Sequence, residues 1–279
     1  MNVREVFDSI RNDIKDGNYQ IIRQKVGNLI DSNPQNIDVM LECASLLKTV
    51  DDDEYCQSII DRVLDIVESP NFGVAIAIRN LGRISEAYGL MKDFSCDSEK
   101  QTEIAKTLMM MDEPKKAMEI LEKRDSHSKN EELLRCDVLC SLGNFDEALS
   151  VAKKLVNKKE TTYDVLSKFC NILMRMGRDN DAIKMAKFYL KENKESADYL
   201  ALMSYVMYVG GKIPAAVNYA CRALKKDCDH IGALEIMAMC LIEKQKYLQA
   251  KLLAGAINDK DPGSITAINI LDMCRKAQK

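Results

Sequence analysis

At 279 residues, with 47% hydrophobic and 30% charged residues, the chain has the composition of a protein that folds and stays in solution, as about two compact domains or one elongated array. Five Pro and 12 Gly are few for a protein with many sheet turns, and the abundance of Leu, Ala, Met, Lys and Glu favours helix. The formal charge of −3 is uneven: residues 1–112 carry 12 Lys and Arg against 20 Asp and Glu, residues 113–279 carry 28 against 23, a tilt too mild for a nucleic-acid footprint, which needs clustered Lys and Arg.

The start, "MNVREVFDSIRNDIKDGNY", carries charges throughout and has no apolar h-region, so no signal peptide is expected. Over residues 3–70, "DGNYQII" and "DEYCQSII" each begin a second helix after a turn. Tyr19 precedes Pro34 by 15 residues and Tyr55 precedes Pro70 by 15; Tyr247 precedes Pro262 by the same interval. Ala44 is a small residue between Met40 and Leu47. The run Asp51-Asp52-Asp53-Glu54 falls at a turn, where carboxylates solvate the loop and favour the next helix N-terminus. Residues 71–128 are irregular. "MMMDEPKKAMEIL" reads as a turn and a second helix around Ala117, while "NLGRISEA" fits either a first helix or a turn.

Residues 129–262 repeat with a step of 34. The turn column is Gly143, Gly177, Gly211 and Gln245. Five residues on come Ala148, Ala182, Ala216 and Ala250, then Ala152, Ala186, Ala220 and Ala254. Upstream run apolar columns: Leu166, Leu200, Leu234 and Ile268; Phe169, Met203, Met237 and Leu271; Leu173, Met207 and Leu241. One column is small: Cys136, Cys170, Ser204 and Ala238. Apolar residues three and four apart form one helical stripe, so each unit holds two helices separated by a turn. Gly at the turn takes φ > 0 and closes the first helix. Pro214 suits the first turn of the second. Small residues facing the paired Ala let the helices approach at the short end of the usual spacing. Such a unit cannot bury its apolar faces alone and must stack on its neighbours.

A 34-residue helix–turn–helix repeat with these columns resembles the tetratricopeptide repeat, most closely over 129–262 and more loosely over 3–70. It departs from that family in having no Trp and in placing Ala152, Ala186, Ala220 and Ala254 where the family often has an aromatic residue. The resemblance implies an all-α, right-handed solenoid of about seven degenerate repeats. Two units occupy 1–70, irregular repeats 71–128, four regular units 129–262, and a capping helix 263–279, whose columns Ile268 and Leu271 lack a second helix.

Chemistry-bearing residues are sparse. Cys136 and Cys140 lie one helical turn apart with His127 nearby in sequence, and Cys228-Asp229-His230 forms a second cluster. Structural zinc sites usually use paired short Cys spacings, and the chain has no CxxC. Cys136 and Cys170 instead occupy the small column, so the ten cysteines are expected to be reduced, mostly buried and free of metal. No catalytic or cofactor-binding motif is found, so neither a cofactor nor enzymatic activity is expected. A site in 71–128 would be the enzyme alternative. The longest uncharged apolar stretch, residues 199–211, is too short to span a bilayer, and a cytoplasmic location is expected.

The resemblance implies that first-helix side chains line a groove that binds partner proteins. The positions matching the family's carboxylate clamp hold Ser167, Asn171, Leu202, Gly232 and Ile236, of which only Asn171 fits, so that clamp is not expected. Groove positions collect Met174, Leu202, Tyr205, Tyr208, Met239 and Ile242, which with Asn171 form the candidate partner-binding set. These adaptable apolar side chains point to an apolar or amphipathic protein segment. RNA-binding helical repeats are the alternative, but they commonly step by 35 and need a basic groove with base-reading polar residues. Monomer and end-to-end homodimer both stay open.

Overall fold

The computed structural model describes residues 2–50, 52–69, 71–94, 98–123, 128–157, 162–192, 196–261 and 264–278. Asp51, Pro70, Cys96, His127 and Pro262 lie outside the described residues. Every regular element among the described residues is a helix. Two compact units are present, Met1–Ser95 and Cys96–Lys279, and the division falls inside the irregular stretch 71–128.

The first unit holds α1 (Val3–Asp16), α2 (Tyr19–Ser32), α3 (Ile37–Thr49), α4 (Asp53–Ile66), α5 (Phe72–Asn80) and α6 (Ile84–Met91). The second begins with α7 (Ser98–Met110), α8 (Pro114–Leu121), α9 (Lys129–Ser141), α10 (Phe145–Asn157) and α11 (Tyr163–Arg175). It continues with α12 (Asp179–Glu192), α13 (Ala197–Val209), α14 (Ile213–Lys226), α15 (Ile231–Glu243), α16 (Tyr247–Lys260) and α17 (Ile265–Gln278).

One turn closes every odd helix from α1 to α15. An amide just past the helix donates to the carbonyl five residues back: Asn18 to Asp13, Asp52 to Leu47, Arg83 to Ile78, Glu113 to Leu108. The series continues with Asn144 to Leu139, Arg178 to Leu173, Lys212 to Met207 and Lys246 to Leu241, all at 2.8–3.1 Å. These bonds satisfy carbonyls that would otherwise be orphaned at a helix end. The residue before each donating amide is left-handed wherever it is described, with Gly at five of seven places and Asp112 (φ 59°) and Gln245 (φ 58°) at the others. A side chain in that region is disfavoured by about 1 kcal/mol or more, whereas Gly adopts it freely. Gln245→Gly is therefore expected to raise stability by about 1 kcal/mol in urea melts. An unchanged midpoint would show that Gln245 carries no backbone strain.

Packing sets the register that the irregular stretch conceals. In each unit one residue of the first helix and the residue 12 positions on in the second are both fully buried. The pairs are Ile10–Ile22, Ala44–Cys56, Ala75–Ala87, Ala105–Ala117, Cys136–Ala148, Cys170–Ala182, Ser204–Ala216 and Ala238–Ala250, and all sixteen residues are 0% exposed. The step is 34 from Ile10 to Ala44, 31 to Ala75, 30 to Ala105 and 31 to Cys136, then 34 again. Residues 71–128 thus hold short units, in which α5 has 9 residues and α6 and α8 have 8 each, against 13 or 14 in α9–α16. The small column also donates. Cys136 Sγ to Ala148 O (3.6 Å), Cys170 Sγ to Ala182 O (3.7 Å) and Ser204 Oγ to Ala216 O (2.9 Å) tie the two helices together.

Within Cys96–Lys279 the odd helices pack in succession, α7 on α9, then α11, α13, α15 and α17, and form an inner layer. Each even helix from α8 to α16 packs between its own partner and the next odd helix. α17 closes the end: Ala267, Ile270 and Cys274 cover Ala250, Ala254 and Ile257 of α16. Its apolar side thereby caps the stack.

Candidate functional site

The inner layer of the second unit lines an open cavity of about 770 Å³. α11 supplies Tyr163, Asp164, Ser167, Lys168 and Asn171; α13 supplies Asp198 and Tyr205; α15 supplies Gly232 and Glu235. Leu133 of α9, Thr266 of α17 and the loop residues Asp227, Asp229, His230 and Asp261 also line it.

Tyr163 spans two units. Its ring meets the His230 ring edge-on, with centroids 4.9 Å apart and planes at 89°. It lies over Gly232, where a Cβ would come within 2.2 Å of the tyrosine oxygen. Only glycine leaves room for that ring. Its other neighbours include the core around Leu200, Ala201 and Ala233. His230 is the N-cap of α15: Nδ1 accepts from the Ala233 amide (3.2 Å), so Nε2 carries the proton and donates to Asp198 Oδ1 (3.0 Å). The Cys228–His230 sequence cluster is therefore a helix cap, with Cys228 exposed.

The lining is acidic. Among the described residues it carries six carboxylates, on Asp164, Asp198, Asp227, Asp229, Glu235 and Asp261, against one lysine, Lys168. Lys168 bonds Asp137 at 2.5 Å, and Lys260 reaches Asp229 at 2.7 Å. Burial holds the Glu235 carboxyl above its ordinary pKa, with Lys168 opposing weakly. Burial also raises the hydroxyls of Tyr163 and Tyr205, and the charge of Glu235 is the next cause for both.

No family model matches the chain, and no curated protein matches it significantly. Solved structures do. A tetratricopeptide repeat protein from Parabacteroides merdae aligns over 86% of this chain and 98% of its own, with a TM-score of 0.53 and 12% identity. Yeast Tom70 aligns over 92% of this chain and 58% of its own, at a TM-score of 0.49 and 14% identity. A thermophilic TPR protein of Thermus thermophilus aligns over 65% and 99%, at 0.46 and 13%. The all-helical pairing, the shared turn and the first of these alignments decide the fold. The chain has the tetratricopeptide-repeat fold.

On this tetratricopeptide scaffold the candidate set separates. Tyr205 of α13 and Asn171 of α11 both line the cavity. Tyr208 is half-buried, and burial first and Glu243 next hold its hydroxyl above the ordinary pKa. Met239 and Ile242 pack against the core of the last units, and Met174 is half-buried. Leu202 is 0% exposed and has no surface to offer a partner. The reason is crowding: α13 packs against α11, α12, α14 and α15, which leaves only a narrow open strip that includes Asp198 and Tyr205. Tyr163 and Glu235 were not among the sequence candidates, and His230 entered only through the Cys228-Asp229-His230 cluster. Tyr163 and Gly232 are 69 residues apart, and a Gly inside an apolar helical pattern was the available signal.

Nine of the ten cysteines lie among the described residues. Seven of those cysteines are buried, Cys221 and Cys228 are exposed, and none is in a disulfide. Burial pushes the thiols of Cys43, Cys136 and Cys170 up to about 12, which disfavours the thiolate that a metal requires. No metal-binding group of three His, Cys, Asp or Glu occurs among the described residues. No helix among them is long and apolar enough to cross a membrane.

Proposed function

We propose that the chain is a protein-interaction module, an adaptor or scaffold, that holds a partner segment against the inner layer of Cys96–Lys279. The observation that carries this reading is the cavity shared by α9, α11, α13, α15 and α17, where rings and carboxylates from successive units converge. An inner face built of repeated helices suits an extended or helical segment better than a small molecule. Tyr205 offers a large ring and a hydroxyl, a combination common at binding hot spots. The segment is amphipathic, so that apolar and polar side chains both meet the mixed lining of rings and carboxylates. The RNA alternative is disfavoured by charge, because six carboxylates along the lining repel a phosphate backbone.

The test begins with affinity capture and mass spectrometry to identify a partner. Calorimetry then compares the parent with the double variant Tyr205→Ala and Tyr208→Ala. About a tenfold loss of affinity with helicity retained is expected, equal to about 1.4 kcal/mol. Unchanged affinity would remove this groove as the binding site.

A further inference from the structure

We infer that the segment bound in this groove is cationic, and that one of its Lys or Arg side chains enters the cavity to pair with Glu235 beside the rings of Tyr163 and Tyr205. This deepens the groove reading above and rests on it. Glu235 makes no hydrogen bond or ion pair among the described residues, yet it is half-buried and borders the cavity. Lys168, the one lysine lining the cavity, is already held by Asp137 at 2.5 Å. Asp198 is occupied by His230 and Asp229 by Lys260. Asp164, Asp227 and Asp261 line the same wall and form no ion pair among the described residues, so the field across the opening is negative.

Such an arrangement has a physical sense. A carboxylate partly removed from water, with its nearby lysine committed to Asp137, destabilises the empty protein. A guanidinium or ammonium group arriving from the partner relieves that penalty. Tyrosine faces beside it add a cation–π contribution, and the surrounding carboxylates speed encounter and disfavour acidic segments. The upward shift of the Glu235 carboxyl by burial agrees. A raised carboxyl pKa means that the folded protein binds the proton more tightly than the unfolded chain. Folding is then favoured below the unfolded value, and stability is lost as pH rises through the folded value. Glu235→Gln removes that loss, so the variant should be at least as stable as the parent at neutral pH while binding a cation less well.

The experiment selects 12-residue peptides from a random display library on the full chain. Each selected peptide is located by hydrogen exchange and titrated by calorimetry against the parent, Glu235→Gln and Asp146→Asn, the last removing one charge from the outer helix α10. The expected peptides protect amides of α11, α13 and α15 and are enriched in Lys and Arg. They should lose about tenfold in affinity to Glu235→Gln, equal to about 1.4 kcal/mol, and less than twofold to Asp146→Asn. Replacing their Arg by citrulline, which keeps the shape and removes the charge, should weaken them at least tenfold. Peptides that protect the inner helices without Lys or Arg enrichment would overturn this inference and leave the groove reading standing. So would equal losses with the two variants, which would mean bulk charge alone. Selected peptides that leave the inner helices unprotected would overturn both.

Discussion

Ala216→Leu is expected to destabilise the protein by roughly 3 kcal/mol, at the upper end of what overpacking a core position does. Ala216 is 0% exposed, and its carbonyl accepts the Ser204 hydroxyl at 2.9 Å from α13. That bond fixes the separation of α13 and α14 at a distance that only small residues permit. Three added carbons have no void to enter, so the helices must part, and the hydroxyl then loses its partner inside the core. With a urea dependence of about 1–3 kcal/mol/M, the midpoint should fall by about 1 M or more. Ala182→Leu should act in the same direction, because Cys170 Sγ reaches the Ala182 carbonyl at 3.7 Å in the unit before. Melts in which both variants match the parent would disprove the close helix contact.

The second large effect concerns Gly232, and its sign should depend on Tyr163. Gly232→Ala places a methyl group within 2.2–2.5 Å of the Tyr163 ring and oxygen, so the ring must leave its site. Displacing it breaks the edge contact with His230 and uncovers the apolar surface around Ala201 and Ala233. The cost should be about 1–3 kcal/mol. In a Tyr163→Ala background the obstruction is gone, and Ala then has the better helix propensity, so Gly232→Ala should stabilise by up to about 1 kcal/mol. A double-mutant cycle on urea midpoints measures the difference. The same effect in both backgrounds would mean that Tyr163 does not rest on Gly232.

Legibility in the sequence followed locality. The turn column was legible because a left-handed residue and its backward amide bond involve only neighbours in the chain, as at Gly143 and Gly177. The small and Ala columns were legible because each unit repeats the same pair of buried residues 12 positions apart. The short units were not, since losing several residues from α6 and α8 moves every column off the 34-residue step. The pairs Ala75–Ala87 and Ala105–Ala117 keep the 12-residue spacing, which survives in the short units where the repeat period does not.

The groove followed the opposite rule. Tyr205 and Asn171 belong to one column of the repeat, and both reach the cavity. Leu202 lies three residues before Tyr205 on the same helix, but four neighbouring helices close over it. Periodicity finds the apolar side of a helix but does not count the elements that cover it. By itself, then, the chain's order of residues determined the helix pairs, their turns and the stacking contacts of the regular units, because these are set by short-range spacing. Tertiary structure alone decided that Tyr163 crosses two units to rest on Gly232 and that Glu235 borders a cavity with no ion pair among the described residues, because burial and counter-charge depend on what the stacked helices bring together from distant parts of the chain.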